Sequence, residues 1–381
     1  MPFQVRTDIP FGNACISSVR DEGGVCTISF TASPHGGPEV LWFCFAVHAA
    51  GRGAPRAGQL ELVLENVQNL LGGNQPENMR PVCRRAGGDW ERLAAGTVRE
   101  LPDGRRSAAW TTDAPATWLE VAFCYPYGEE QLGELLKDTG DCWRSDVIGV
   151  SQAGRPMVRL SNGYGAPGGT EPGVYLIARQ HSGETPGSWV MDGFLRAMAR
   201  AGPRAPLVWA VPFTNVDGVV QGDYGKDNFP YDLNRAWGRP PMRHETLALQ
   251  GDMNRWKARC RPLLALDLHA PGGSECDGIY AHLLKPEKAP EAKAGSEQWA
   301  ERLGRALGDE FAAEKFGRVA SYPSRWETAH FSDFCWQALK CCGICIETPY
   351  SSARGNVLTR ERYREAGGRF AQAVLEAVAA G

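Results

Sequence analysis

Up to about residue 125, apolar residues come in short runs separated by turn-forming residues, and helical periodicity is almost absent. Val25 to Phe30, Glu39 to Val47, Leu60 to Leu64 and Trp118 to Cys124 read as strands. Gly, Pro and Asn cluster between them, as in Gly72-Gly73-Asn74-Gln75-Pro76. Short strands with this punctuation predict a β-sandwich. The texture changes near residue 129, where Glu129 to Lys137 reads as a short surface helix. Beyond it apolar strands alternate with helices, the pattern of an α/β fold with a mixed sheet. The chain therefore divides into a β-sandwich over residues 1–127 and an α/β unit over residues 128–381, with a Gly/Pro-rich surface loop over 162–173.

In the second unit, the carboxyl ends of the buried strands carry the polar residues of interest. Gly173 to Arg179 leads into Gln180-His181-Ser182-Gly183-Glu184. A helix comes next, with Thr185 expected as N-cap, Pro186 at its first position and Gly202 at its end. Trp189, Val190, Phe194, Leu195 and Met198 supply its core face. Leu207 to Val211 runs on to Asn215-Val216-Asp217-Gly218 and then to Asp232-Leu233-Asn234-Arg235. Leu263 to Leu268 ends at His269, and Gly343 to Ile346 ends at Glu347. Ligands of open α/β sheets bind just beyond the carboxyl ends of strands. Three of these four ends present a His, a Glu or both.

Composition narrows the function classes. A length of 381 residues suits two domains, and 43% hydrophobic with 22% charged residues is ordinary for a globular chain. Net charge is −3 with the signs interspersed, so neither nucleic acid nor an anionic membrane is an expected partner. The N-terminal residues lack the basic start and apolar core of a signal peptide. No run approaches the ~20 apolar residues of a membrane span. A cytoplasmic location is expected. The twelve cysteines are scattered through apolar runs, which reads as buried free thiols in a reducing compartment. Cys341, Cys342 and Cys345 sit in the strand leading to Glu347, and a structural reading is favoured for them.

His181 and Glu184 alone are a weak H-x-x-E signal. A catalytic zinc takes three His or carboxylate ligands and keeps one open position. His181, Glu184 and the distant His269 make up that set, for one zinc per chain. Asp267, two residues before His269, is then a partner that orients a ligand imidazole. Glu347 remains as a carboxylate placed to take a proton from water and pass it to a leaving amine. His35, His48, His244, His282 and His330 lack partners at ligand spacing, although His282 comes directly after a strand-like segment and is able to approach the site.

Together these residues resemble the zinc carboxypeptidases of the carboxypeptidase A type, in particular their cytosolic carboxypeptidase branch. Ala178 to Leu195 looks like that branch's ligand motif and adjoining helix, and Asn215-Val216-Asp217-Gly218-Val219 is similar to its Asn-Pro-Asp-Gly-Val. Asp232-Leu233-Asn234-Arg235-Ala236-Trp237 and Asp267-Leu268-His269 match two further blocks. Asn78 to Val82, Asp89-Trp90 and Tyr125-Pro126-Tyr127 resemble landmarks of the sandwich that precedes the catalytic domain there. The resemblance implies an eight-stranded mixed sheet flanked by helices. It also implies zinc on His181, Glu184 and His269, Glu347 as general base, and Asn234 with Arg235 on the terminal carboxylate of a peptide or protein substrate. Removal of an acidic terminal residue such as glutamate is the first expectation.

One departure bears on mechanism. Where the family keeps an Arg to polarise the scissile carbonyl, this chain has Gly225. Loss of one such donor costs ~3 kcal/mol in the transition state. Lys226, or an Arg from elsewhere such as Arg243, is the expected substitute. For the family's mobile tyrosine, Tyr280 and Tyr322 are candidates, ahead of Tyr350. Trp326 and Arg325 are candidate pocket residues. Two other functions fit parts of the pattern: an aspartoacylase-like or desuccinylase-like zinc amidohydrolase, and a non-catalytic peptide-binding relative.

Overall fold

A computed structural model describes residues 3–35, 37–50, 58–100, 104–285, 289–320 and 328–380. The N-terminal strands are β1 (Phe3–Arg6), β2 (Cys15–Glu22), β3 (Val25–Thr31), β4 (Cys44–Ala49), β5 (Gln59–Leu64), β6 (Val82–Arg85), β7 (Trp90–Arg92), β8 (Thr97–Glu100), β9 (Arg106–Asp113) and β10 (Trp118–Ala122). They form two five-stranded sheets, ordered β1-β4-β10-β6-β7 and β2-β3-β5-β9-β8. Pairing is antiparallel except between β3 and β5. Successive side chains on a strand point to opposite faces, so Cys26, Ile28 and Phe30 of β3 and Leu60, Leu62 and Leu64 of β5 all face inward and are fully buried. Phe30 meets Phe45 of the other sheet with ring centroids 4.9 Å apart. The strand expected to begin at Glu39 starts only at Cys44. Upstream, Val40 bridges to Leu70 and the Trp42 indole donates to Phe11 O at 2.9 Å, which holds this stretch outside the sheet.

The rest of the chain builds one eight-stranded sheet from β11 (Arg144–Val150), β12 (Pro156–Ser161), β13 (Pro172–Ala178), β14 (Leu207–Val211), β15 (Arg261–His269), β16 (Ile279–Leu283), β17 (Ala312–Val319) and β18 (Gly343–Glu347). Their order is β11-β12-β14-β13-β15-β18-β16-β17. The four central strands run parallel, while β12 and β16 flank them antiparallel. Central parallel strands are covered on both faces, and Val174 to Ala178 of β13 are fully buried. Helix α1 (Glu129–Thr139) lies where the sequence predicts it, before the sheet.

Helix α2 (Thr185–Ala201) comes after β13 and packs on the C-terminal helix Arg360–Ala379 at very short range. A Cβ on Gly193 would meet Arg364 O at 2.0 Å, and one on Gly367 would meet Val190 O at 1.9 Å. The N-cap of α2 is Glu184 rather than Thr185, and no side chain caps it. The Glu184 carboxylate is instead engaged by His181 and His269. The sandwich and the sheet share a continuous apolar core. Tyr127 meets Trp189 edge to face at 4.9 Å, and Phe123 meets Tyr350 at 4.8 Å. Among the described residues no helix is long and apolar enough to cross a membrane. The twelve cysteines are unpaired, and only Cys15 is exposed.

Candidate metal centre

His181 and Glu184 occupy the turn between β13 and α2. Arg179 enters that turn in the left-handed backbone region, at φ 65°. Its buried guanidinium donates to Ser182 O at 2.6 Å and Tyr127 O at 2.9 Å, which holds the turn against the end of the sandwich. Gly183 leaves room for the segment crossing above, since a Cβ there would meet Trp42 and Tyr224 at 2.9 Å. His269 arrives from the neighbouring strand β15. The three side chains are buried to within 4% of full exclusion.

Their donor atoms converge. The Nδ1 atoms of His181 and His269 are 3.2 Å apart, and they lie 2.8 Å and 2.7 Å from the two oxygens of Glu184. Each ring has a carboxylate behind its other nitrogen. His269 Nε2 is 2.8 Å from Asp267 Oδ2, and His181 Nε2 is 3.3 Å and 3.2 Å from the two oxygens of Asp232. A carboxylate behind Nε2 fixes the proton there and turns the Nδ1 lone pair inward. Two inward lone pairs and a carboxylate around one point suit a cation. Three buried carboxylates beside two imidazoles also lack enough positive charge of their own, and buried charge is costly unless matched. Burial works against charge on His181, yet Glu184 and Asp232 outweigh it and raise its pKa. The residues present thus fit a metal ion.

Glu347 ends β18, directly beside His269 in the parallel register. Burial raises its carboxyl above the ordinary carboxylate range. His282 of β16 reaches within 3.8 Å of its Oε1.

Gly225 has φ 80°, and a Cβ there would meet Ser182 Oγ at 2.3 Å, so no side chain fits on this backbone. Lys226 instead brings its Nζ to 4.0 Å from Glu184 Oε1. Arg243 is occupied elsewhere, donating to Glu245 at 3.2 Å and to Tyr231 O at 2.9 Å. Asn234 Nδ2 lies 3.3 Å from His269 Nε2, while the Arg235 guanidinium bonds Asn234 O at 2.9 Å. The Tyr280 hydroxyl donates to Glu275 at 3.1 Å, and its backbone pairs with Glu347. Tyr350 is fully buried against Phe123. Tyr322, Arg325 and Trp326 lie outside the described residues.

Two site residues escape a reading of the sequence. Asp232 holds its own turn by accepting Asn234 N at 2.7 Å, takes Asp227 N at 2.8 Å, and faces His181. Gln180 donates to Asp267 at 2.6 Å and accepts from the Trp237 indole at 2.8 Å. Asp232 opens the Asp-Leu-Asn-Arg block, which is a usable signal. Gln180 carries none.

No protein-family model matches the chain. It is 28% identical over 230 residues to cytosolic carboxypeptidase 6 of Mus musculus, covering 54% of this chain and 41% of that one. To the Homo sapiens protein of the same name it is 32% identical over 178 residues, covering 42% and 35%. The chain thus aligns with less than half the length of these curated relatives. Among solved structures, a metallo-carboxypeptidase from Burkholderia cenocepacia superposes over 100% of both chains, with TM-score 0.79 and 19% identity. A metallo-carboxypeptidase from Pseudomonas aeruginosa covers 99% of both at TM-score 0.77 and 21% identity. The chain therefore has the metallo-carboxypeptidase fold, sandwich included, and resembles the cytosolic carboxypeptidases in sequence.

Proposed function

We propose that this chain is a zinc-dependent carboxypeptidase that hydrolyses the C-terminal bond of a peptide or protein, acidic residues such as glutamate being the first to test. The observation that carries this reading is the convergence of His181 Nδ1, His269 Nδ1 and both Glu184 oxygens, backed by Asp232 and Asp267. Two imidazoles and a carboxylate are the donor set of an open catalytic zinc site. Held by His181, Glu184 and His269, a zinc ion would supply Lewis acidity at this point. Glu347 takes the proton of the attacking water and returns it to the amine as the C–N bond breaks.

Asn234 and Arg235 hold the terminal carboxylate in this reading, the planar guanidinium suiting two carboxylate oxygens. Lys226 places a point charge where the carbonyl oxygen turns anionic, an assignment supported by its approach to Glu184. Residues 1–127 act as a sandwich that buttresses the catalytic unit at 128–381, and the relatives' names support a cytosolic location.

The test is incubation of the zinc-loaded protein with peptides bearing free or amidated C-termini, and then amino-acid analysis. Release from free ends alone is expected. Cleavage restricted to acyl-amino acids would identify an amidohydrolase, and tight binding without release would identify a non-catalytic relative.

A further inference from the structure

Two register rows cross the centre of the eight-stranded sheet. Parallel pairing of β15 with β18 sets Asp267 beside Cys345 and His269 beside Glu347. Antiparallel pairing of β18 with β16 extends both rows, Cys345 to His282 and Glu347 to Tyr280. Side chains two apart on a strand share a face. Asp267, Cys345 and His282 therefore stand on the same face as His269, Glu347 and Tyr280.

Glu347 is the carboxylate in the middle of this array, and its two oxygens have unequal surroundings. Oε1 lies 3.7 Å from Cys345 Sγ and 3.8 Å from His282 Nε2. Oε2 is buried and has no hydrogen-bond partner among the described residues. Burial, with help from His269, Lys226 and Arg318, pushes the His282 imidazole down to about 4. The contact is therefore a neutral ring against a carboxyl group, not an ion pair. A neutral imidazole has one N–H, and the nitrogen facing the carboxylate is where it is used. The ring is held from the other side by Tyr280, edge to face at 5.3 Å, and Tyr280 carries the Arg318 guanidinium 3.9 Å above its own ring.

We propose that His282 is a positioning residue for Glu347: together with Cys345 it holds Oε1 against the sheet and leaves Oε2 as the atom that exchanges the proton. The proposal rests on the peptidase reading for the role of Glu347, while the contact itself does not. His282 Nε2 stands 3.8 Å from Glu347 Oε1, the long spacing that catalytic contacts commonly show before substrate binds.

The experiment compares H282A, H282F and H282Q in the zinc-loaded full chain on a free C-terminal peptide. H282F keeps a flat ring against Tyr280 without an N–H; H282Q keeps an N–H. A displaced general base is expected to lower kcat about ten- to a hundredfold in H282A and H282F. KM should stay within about twofold, zinc content should not change, and H282Q should recover most of the loss. Wild-type kcat in H282F, or loss of zinc in step with kcat in H282A, would overturn the proposal. A second readout is independent of turnover: the ring nitrogen resonances of His282, recorded in wild type and E347Q. Moved resonances are expected, and unmoved ones would overturn the contact. If they move in a chain that releases no terminal residue from any peptide, the contact stands and the peptidase reading alone fails.

Discussion

The apolar core of the N-terminal unit includes Phe30, Phe43, Phe45 and Phe123, packed ring to ring with Phe30 and Phe43 5.0 Å apart. At the carboxyl ends of β13, β15 and β18 stand His181, Glu184, Asp267 and His269, all buried, with the largely covered Glu347 beside them. Both regions exclude water, but the energetics have opposite sign. An aromatic ring removed from water stabilises the fold by its apolar area. A carboxylate removed from water costs stability unless a partner offsets it. The strand ends therefore do not exist to hold the chain together. They concentrate negative charge and lone pairs at one point, an arrangement that suits a cation. Stability and metal chemistry should consequently separate under mutation.

The largest expected effect is in the second region. E347Q should lower turnover by about 10²–10⁴-fold, the usual worth of a general base, with zinc content and melting temperature unchanged. Steady-state kinetics and elemental analysis check both halves, and normal turnover would remove Glu347 from the mechanism. In the first region, F43A should cost about 3–5 kcal/mol in urea unfolding, as large-to-small core substitutions do. Its folded fraction should bind as much zinc as wild type; loss of metal affinity there would erase the contrast between the regions.

K226A addresses the missing guanidinium at Gly225. Its kcat should fall by about 10²-fold or more if Lys226 stabilises the developing oxyanion. An unchanged kcat would redirect attention to another cation. The smallest effect belongs to D267N, which keeps the shape behind His269 and removes the charge. Metal affinity measured by chelator competition should weaken about 10–100-fold, and an unaltered affinity would mean that Asp267 does not orient the ring.

Much of the site is legible in the sequence because it sits on local signals. His181 and Glu184 share one turn, His269 and Glu347 each end an apolar run, and Asp267 lies two residues before His269. The hidden part depends on which strand lies beside which. The strand-like run before His282 allows it to approach the site, but does not reveal the insertion of β16 between β17 and β18 that carries it to Glu347. Asp232 stands behind His181 only because the loop after β14 folds back over the turn, where Gly183 donates to Tyr224 O at 2.9 Å. Arg243 is drawn off by Glu245, only two residues on, and by Tyr231 O, whereas the approach of Lys226 to Glu184 spans 42 positions and is not legible locally. In the sandwich, alternation marks β3 and β5 clearly, yet their parallel pairing is absent from it. The run from Glu39 to Phe43 has strand-like composition but is drawn off by contacts to Phe11 and Leu70.

Zinc content measured by elemental analysis, on wild type and H269A dialysed against the same limiting zinc, tests the central claim most directly. Wild type should retain about one zinc per chain, the stoichiometry of a single open site, and folded H269A should retain far less. Equal zinc in both proteins, or none in wild type, would contradict the assignment of His181, Glu184 and His269 as the metal site.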